Sequence, residues 1–293
     1  MSPRVLLTGA RGFVGRPALT ALLARGAEVH AVGRGDAPEW LPARVRWEAA
    51  DLLAPGAAAD LVARVQPDAV LHLAWEATPG VYWTSEANRD WLRASRELAA
   101  VLEGRRLVTA GSCAEYDWSA GWCRENETPL EPATLYGECK RELGELASAH
   151  GRIFFLYGPH EDGRRLVPAV ATALLQGERA ATSHGRQQRD YLHVDDAAAA
   201  LVALLMADEV SGPVNIASGD PVPVRAVVEA VADATGRPEL VSWGEIELGP
   251  DEPPLLAGDS ARLREEVGFE PRHRLAEGIA ETVAWWRERL SAG

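Results

Sequence analysis

Apolar residues along the first half of the chain fall into short strand-like runs separated by longer stretches in which they recur every three to four positions. The first run, 4–8, leads into Gly9-Ala10-Arg11-Gly12-Phe13-Val14-Gly15 and then an Ala/Leu-periodic stretch to about residue 25, which reads as strand, glycine turn and helix. Further strands are expected at 28–32, 45–48, 69–73, 107–110 and 152–156, with helical patterns between most of them, 87–102 and 136–149 included. This rhythm predicts an α/β protein built on a Rossmann-type, doubly wound parallel sheet.

The pattern changes after Tyr157-Gly158-Pro159. Loops are expected at 160–165 and 184–189, a Pro/acid-rich stretch occupies 245–254, and helices are expected at 167–175, 195–207, 224–235 and 275–290. The division this suggests is a dinucleotide-binding Rossmann domain from residues 1–165 with about 190–217. A smaller, interleaved C-terminal substrate-binding region would comprise 166–189 with 218–293. No internal repeat or isolated linker interrupts the chain, so both parts are expected to share one cleft.

Composition narrows the classes further. With 293 residues, 47% apolar and 25% charged, the chain is neither collagenous nor disordered, and it can bury roughly 75% of its unfolded surface without a metal or staple. The net charge of -13 and the lack of basic clusters interleaved with aromatics argue against nucleic acid as a partner. Val5-Leu6-Leu7 reaches Gly9 too soon for a signal peptide or membrane span, so no membrane association is expected. Cys113, Cys123 and Cys139 form no CxxC pair, consistent with a reducing cytoplasm. No metal site is expected.

The cations carry the sharpest signal. There are twenty-nine arginines and a single lysine, Lys140, four residues after Tyr136. Where either cation serves, this chain uses Arg, so Lys140 marks a place that needs a compact ammonium. Residues at i and i+4 share a helical face. An ammonium there is expected to lower the phenol pKa from ~10, letting Tyr136 exchange a proton near neutral pH while Ser112 hydrogen-bonds the same substrate oxygen. Upstream, Gly9, Gly12 and Gly15 open a helix whose N–H groups can face a pyrophosphate. At the end of the second strand, where a carboxylate would take the ribose of NAD, the chain has Gly33-Arg34, and Arg11 lies inside the glycine turn. Two guanidiniums suit a 2′-phosphate, which favours NADP, while the nearby Asp36 leaves NAD open.

These residues resemble the extended short-chain dehydrogenase/reductase family, also called NAD-dependent epimerase/dehydratases. Thr8 to Gly15 is similar to its TGxxGxxG turn, His72-Leu73-Ala74 to its HLAA strand end, and Leu135 to Lys140 to its LYGxxK segment. Arg152 to Pro159, Arg189 to Asp196 and Asn215 to Gly219 are similar to its RxxNxYGP, RDxxxVDD and NIGSG stretches. The resemblance implies catalytic Ser112, Tyr136 and Lys140. It also implies a cofactor site of Gly9, Arg11, Gly12, Phe13, Val14, Gly15, Arg34, Asp51, Leu52, Leu73, Ala74 and Trp75 together with Tyr136 and Lys140, with Asp51 on the adenine. A homodimer through helices 87–102 and 136–149 is implied as well. Arg189 is implied as a diphosphate clamp, with an ion pair to Asp195 or Asp196 as the alternative role.

Departures from the family narrow the reaction. Its 4,6-dehydratases carry Thr-Asp-Glu where this chain has Ser112-Cys113-Ala114, so water elimination is disfavoured. Glu115 is expected to point to the opposite face of the strand. Cys113 lies one position from the cysteine of two-base GDP-fucose synthase-like epimerases, and Arg165 stands at their histidine position. Phe155 replaces a family Asn that contacts the substrate pyrophosphate. Trp75, Tyr82, Trp83, Tyr116, Trp118 and Trp122 cluster around the expected cleft, half of them as plain packing, and Glu76 is expected to bind sugar hydroxyls or to cap a helix. The expected substrate contacts are Glu76, Tyr82, Trp83, Ser112, Cys113, Ala114, Phe155 and Arg189. The reaction this suggests is NADP-dependent reduction of the C4 ketone of a nucleotide-linked 4-keto-6-deoxy sugar. The alternatives are an NAD-dependent sugar-nucleotide 4-epimerase and a non-catalytic cofactor sensor.

Overall fold

Val5, Leu6 and Leu7 are wholly buried because their strand, β1 (Arg4–Thr8), is flanked by strands on both edges and by helices on both faces. The structure, a computed structural model, describes residues 2–250 and 252–291. After β1 come α1 (Gly15–Ala24), β2 (Glu28–Gly33), β3 (Arg46–Ala49), α2 (Ala57–Val65), β4 (Ala69–His72), α3 (Ala87–Ala100) and β5 (Arg106–Ser112). The first half closes with β6 (Trp122–Cys123), α4 (Leu135–Gly144), β7 (Ala149–Ile153) and β8 (Phe155–Tyr157). The second half begins with α5 (Leu166–Leu175), β9 (Ala180–Ala181), β10 (Gln188–Arg189), β11 (Tyr191–His193), α6 (Val194–Met206) and β12 (Gly212–Ile216). It continues with β13 (Val222–Pro223), α7 (Val224–Thr235), β14 (Val241–Ser242), β15 (Leu255–Gly258), α8 (Ala261–Glu265) and α9 (Leu275–Ser291).

Seven parallel strands lie in the order β12-β7-β5-β4-β1-β2-β3. The order runs outward in both directions from the β1/β4 pair, the doubly wound arrangement the sequence predicts, and it opens a crevice at the C-terminal ends of those two strands. One face packs on α1 and α6 through Leu19, Leu22, Leu201 and Leu204, the other on α2 and α3 through Leu61 and Leu98. Each such buried leucine contributes roughly 1.5–3 kcal/mol. A second core joins α5, α7 and α9 around Tyr157, Val170, Val227, Val231 and Ile279. Beside it lies a small sheet ordered β13-β10-β15-β6, so the chain before α4 also contributes to it. Among the described residues, no helix is long and apolar enough to cross a membrane.

Two expected elements are corrected. The helix over 136–149 stops at Gly144, and Ala149 already begins β7. Ala-His-Gly fits a strand here because α6 presses on it: a Cβ at Gly151 would come within 2.4 Å of Leu201 Cδ2. The single strand over 152–156 is two strands. The Phe154 amide donates to Ile216, the next one donates to Asp190, and the chain thereby leaves β12 to pair with β11.

Candidate active site

The glycine turn is dictated by close packing. Gly9 has φ +71°, and a Cβ on it would lie 2.7 Å from the Leu73 carbonyl carbon; a Cβ on Gly15 would lie 2.0 Å from Gly9 O. Thr8 ties the turn to β4, its Oγ1 accepting from the Leu73 and Ala74 amides at 3.1 Å and bonding His72 Nδ1 at 2.7 Å. His72 Nε2 reaches Ser95, and burial pushes the ring pKa down to about 3, so it stays neutral. Phe13 and Val14 are half-buried where the turn enters α1. That helix has no side-chain cap and no acid in its first turn, which leaves its positive end to an anion, as a dinucleotide pyrophosphate requires.

The adjoining end of β2 is walled by Trp47, which the sequence reading did not single out. Arg11 lies 4.7 Å above its ring and donates to the Asp36 carbonyl, while the Trp47 indole donates to Gly35 O. Arg34 is exposed beside this wall; the Glu76 carboxyl is held below the usual range chiefly by its hydrogen bonds to Thr78, with a smaller contribution from the Arg34 charge. Asp51 is exposed and accepts from the Leu53 amide at 3.1 Å, and Leu52 beside it is buried.

Ser112 ends β5, and a 3-10 turn of Cys113–Glu115 follows. Thr134 caps α4 by accepting from the Gly137 amide, so the helix starts just in time to present Tyr136 to that turn. The fit leaves no slack: a Cβ on Gly137 would sit 2.3 Å from Ala114 O. The Ser112 hydroxyl accepts from the Ala114 amide at 3.2 Å and, facing the Tyr136 phenol, eases its ionisation. Lys140, 4% exposed, donates from Nζ to Ala110 O at 2.9 Å and lies 4.0 Å above the Trp75 ring and 5.7 Å from the Tyr136 ring centroid.

This geometry reverses the expectation that Lys140 lowers the phenol pKa. Burial raises Tyr136 well above its ordinary value, opposed by Ser112, and burial lowers Lys140 to about 7, opposed by Glu115. Desolvation dominates both groups, and with the ammonium aimed at the Ala110 carbonyl rather than at the phenol, Tyr136 is protonated at neutral pH.

Glu115 lies in the 3-10 turn rather than on the strand face expected for it. Wholly buried, it bonds His150 Nε2 at 2.9 Å and Arg152 Nε at 2.7 Å and accepts from the Ser112 amide, and these partners hold its pKa at about 2. It braces the turn from behind. The two positions after Ser112 are buried and carry no carboxylate, and burial pushes the Cys113 thiol far up.

Of the six aromatics, Tyr82 and Trp83 flank Tyr136, and Trp118 stands behind Trp83. Tyr82 meets the Tyr136 ring edge-on at 4.8 Å, Trp83 at 5.7 Å, and Trp118 stands edge-on to Trp83. Trp75 seats Lys140, Tyr116 is a core residue bonded to Asn215, and Trp122 is exposed on β6. Arg165 lies 5.2 Å above Tyr82. Glu76 accepts from the Thr78 amide and so closes a turn rather than capping a helix.

Arg189 pairs with neither Asp195 nor Asp196. Its guanidinium meets Glu252, donates to Pro253 O and Gln188 O, and lies 5.6 Å from the Phe155 ring. The strand pairing turns Arg189 toward the 252–254 segment, while Asp196 is taken by the Arg272 and His273 amides. His193, Asp195 and His273 bring potential ligand atoms within 4.8 Å of one another, but the two rings stack 4.0 Å apart at 26°. Near-parallel rings send their lone pairs side by side rather than to a common ion.

A glycine turn at the switch point of a doubly wound sheet, with Ser, Tyr and Lys at the adjoining strand and helix ends, defines an NAD(P)-linked oxidoreductase of the short-chain type. The chain belongs to the NAD dependent epimerase/dehydratase family, whose model matches residues 5–217. It is 27% identical to a dTDP-glucose 4,6-dehydratase from Streptomyces griseus, over 99% of this chain and 96% of that one. It is 28% identical to a UDP-glucose 4-epimerase from Mycolicibacterium smegmatis, over 98% and 99%. The structure of MoeE5 in complex with UDP-glucuronic acid and NAD superposes with a TM-score of 0.81 at 29% identity, covering 98% of this chain and 99% of that one.

Proposed function

We propose that the protein uses NAD to epimerise a nucleotide-linked hexose at C4. The observation that carries this reading is the pairing of a complete Ser112, Tyr136 and Lys140 set with Cys113 and Ala114, which offer no carboxylate for eliminating water. This favours a reaction confined to one carbinol carbon. Bound between the glycine turn and Lys140, NAD would supply the hydride acceptor and donor. Tyr136, in the ionised form that Ser112 favours, would accept the C4 hydroxyl proton as hydride leaves C4 and return it to the ketone oxygen when hydride comes back. Ser112 holds that oxygen, and Tyr82 and Trp83 give the sugar ring flat walls to turn against. The resemblance in sequence to a UDP-glucose 4-epimerase and in fold to a protein holding UDP-glucuronic acid and NAD supports both the substrate class and the cofactor.

A second reading, NADP-dependent reduction of a C4 ketone, is favoured by two observations. Exposed Arg34 follows the end of β2, where a guanidinium would suit a 2′-phosphate, and the protonated phenol would be ready to donate to a ketone oxygen. Arg11 supports it less, since its guanidinium is already stacked on Trp47. The test is to denature the purified protein and quantify released NAD, and to incubate the native protein with UDP- and dTDP-hexoses without added cofactor. An equivalent of NAD with interconversion of C4 epimers is expected. No bound NAD, together with NADPH oxidation by 4-keto-6-deoxy sugar nucleotides, would select the reductase.

A further inference from the structure

Arg189 is 3% exposed, and a guanidinium so far from water requires an anion beside it. Its neighbour Asp190 is fully committed to the Ser218, Gly219 and Gly258 amides and the Ser218 hydroxyl, so it anchors the fold and offers Arg189 nothing. The anion is supplied by Glu252, across the chain from β10. The two partners differ in freedom: the Arg189 side chain is 4% exposed and pinned to two carbonyls, whereas that of Glu252 is 35% exposed, its own amide donating to Gly249 O. Glu252 also lines a cavity of about 580 Å³ with His184, Arg186, Gln187 and Leu248. It stands between that cavity and the guanidinium.

We propose that Glu252 is a displaceable latch on Arg189, occupying the guanidinium's anion site until a substrate diphosphate takes its place. This rests on the nucleotide-sugar reading above. Because Arg189 is paired both before and after binding, diphosphate capture is an exchange of one anion for another, and the carboxylate lowers affinity by its own attraction. The latch also selects: a doubly charged, multidentate oxyanion can outcompete one carboxylate, and a neutral nucleoside or free sugar cannot.

Calorimetric titration of the unaltered protein and Glu252→Gln with UDP, dTDP, uridine and thymidine tests this. The variant should bind the diphosphates about tenfold more tightly and the nucleosides within twofold of the unaltered protein. Equal diphosphate affinities, or a gain shared by the nucleosides, would overturn the latch and leave the nucleotide-sugar reading standing. Failure of both proteins to bind either diphosphate would overturn that reading and the latch together. In an Arg189→Gln background the gain should vanish, and its persistence would mean that Glu252 merely repels anions. Should that background not fold, the contrast between nucleosides and diphosphates decides the matter alone.

Discussion

Tyr136 and Lys140 share a helical face, but burial sets their protonation. With the phenol raised and the ammonium lowered to about 7, the pair is tuned by desolvation, and Ser112 is the neighbour that eases ionisation of the phenol. Tyr136→Phe should therefore lower kcat by about 10³-fold, within the usual range for losing a general acid–base group. Its NAD affinity should stay within twofold, read by quenching of tryptophan fluorescence. Retained turnover would remove Tyr136 from the chemistry. At this scale the sequence showed the residue types and the i, i+4 spacing. It did not show Trp75 under the ammonium or Glu252 on Arg189, because those contacts join positions 65 and 63 residues apart.

Among the elements, the contact between α4 and the turn after Ser112 controls the geometry of the site. The Thr134 cap and the small Gly137 let the helix lie on Ala114, while Glu115 holds the turn from below through His150 and Arg152. Gly137→Ala should push α4 away from Ser112 and lower kcat by about 10²-fold, the order expected for a displacement of ~1 Å in a reacting group. The far-ultraviolet circular dichroism should be unchanged, and a fully active variant would show that the contact does not position Tyr136. The glycine at this place was legible only as part of a motif. Its physical reason, a carbonyl 2.3 Å from where a Cβ would be, belongs to the packing. The same holds for β7, where helical spacing was overruled by α6 lying across Gly151.

Across the whole molecule, buried titratable groups couple stability to pH in opposing directions. His72, held at about 3, has a folded pKa below its unfolded value of ~6.5, so its contribution is complete above that value and is lost as pH falls toward 3. Between pH 6.5 and 5 the loss is on the order of 2 kcal/mol. Burial also lowers His193, to about 4, which adds in the same direction, whereas Glu161, raised to about 8 by burial, favours the folded state at lower pH. A comparison with His72→Gln isolates the first effect: urea unfolding should show the variant less stable at pH 7 but less sensitive to acid between pH 6.5 and 5. Parallel stability curves would show that His72 is not held neutral. By itself the sequence determined the strand and helix rhythm, the glycine turn and the Ser, Tyr and Lys set, because backbone period, turn conformation and chemical type are local properties. Tertiary structure alone decided which anion Arg189 keeps, which wall Arg11 leans on and how far burial moves each proton, since these depend on water excluded by residues distant in the chain.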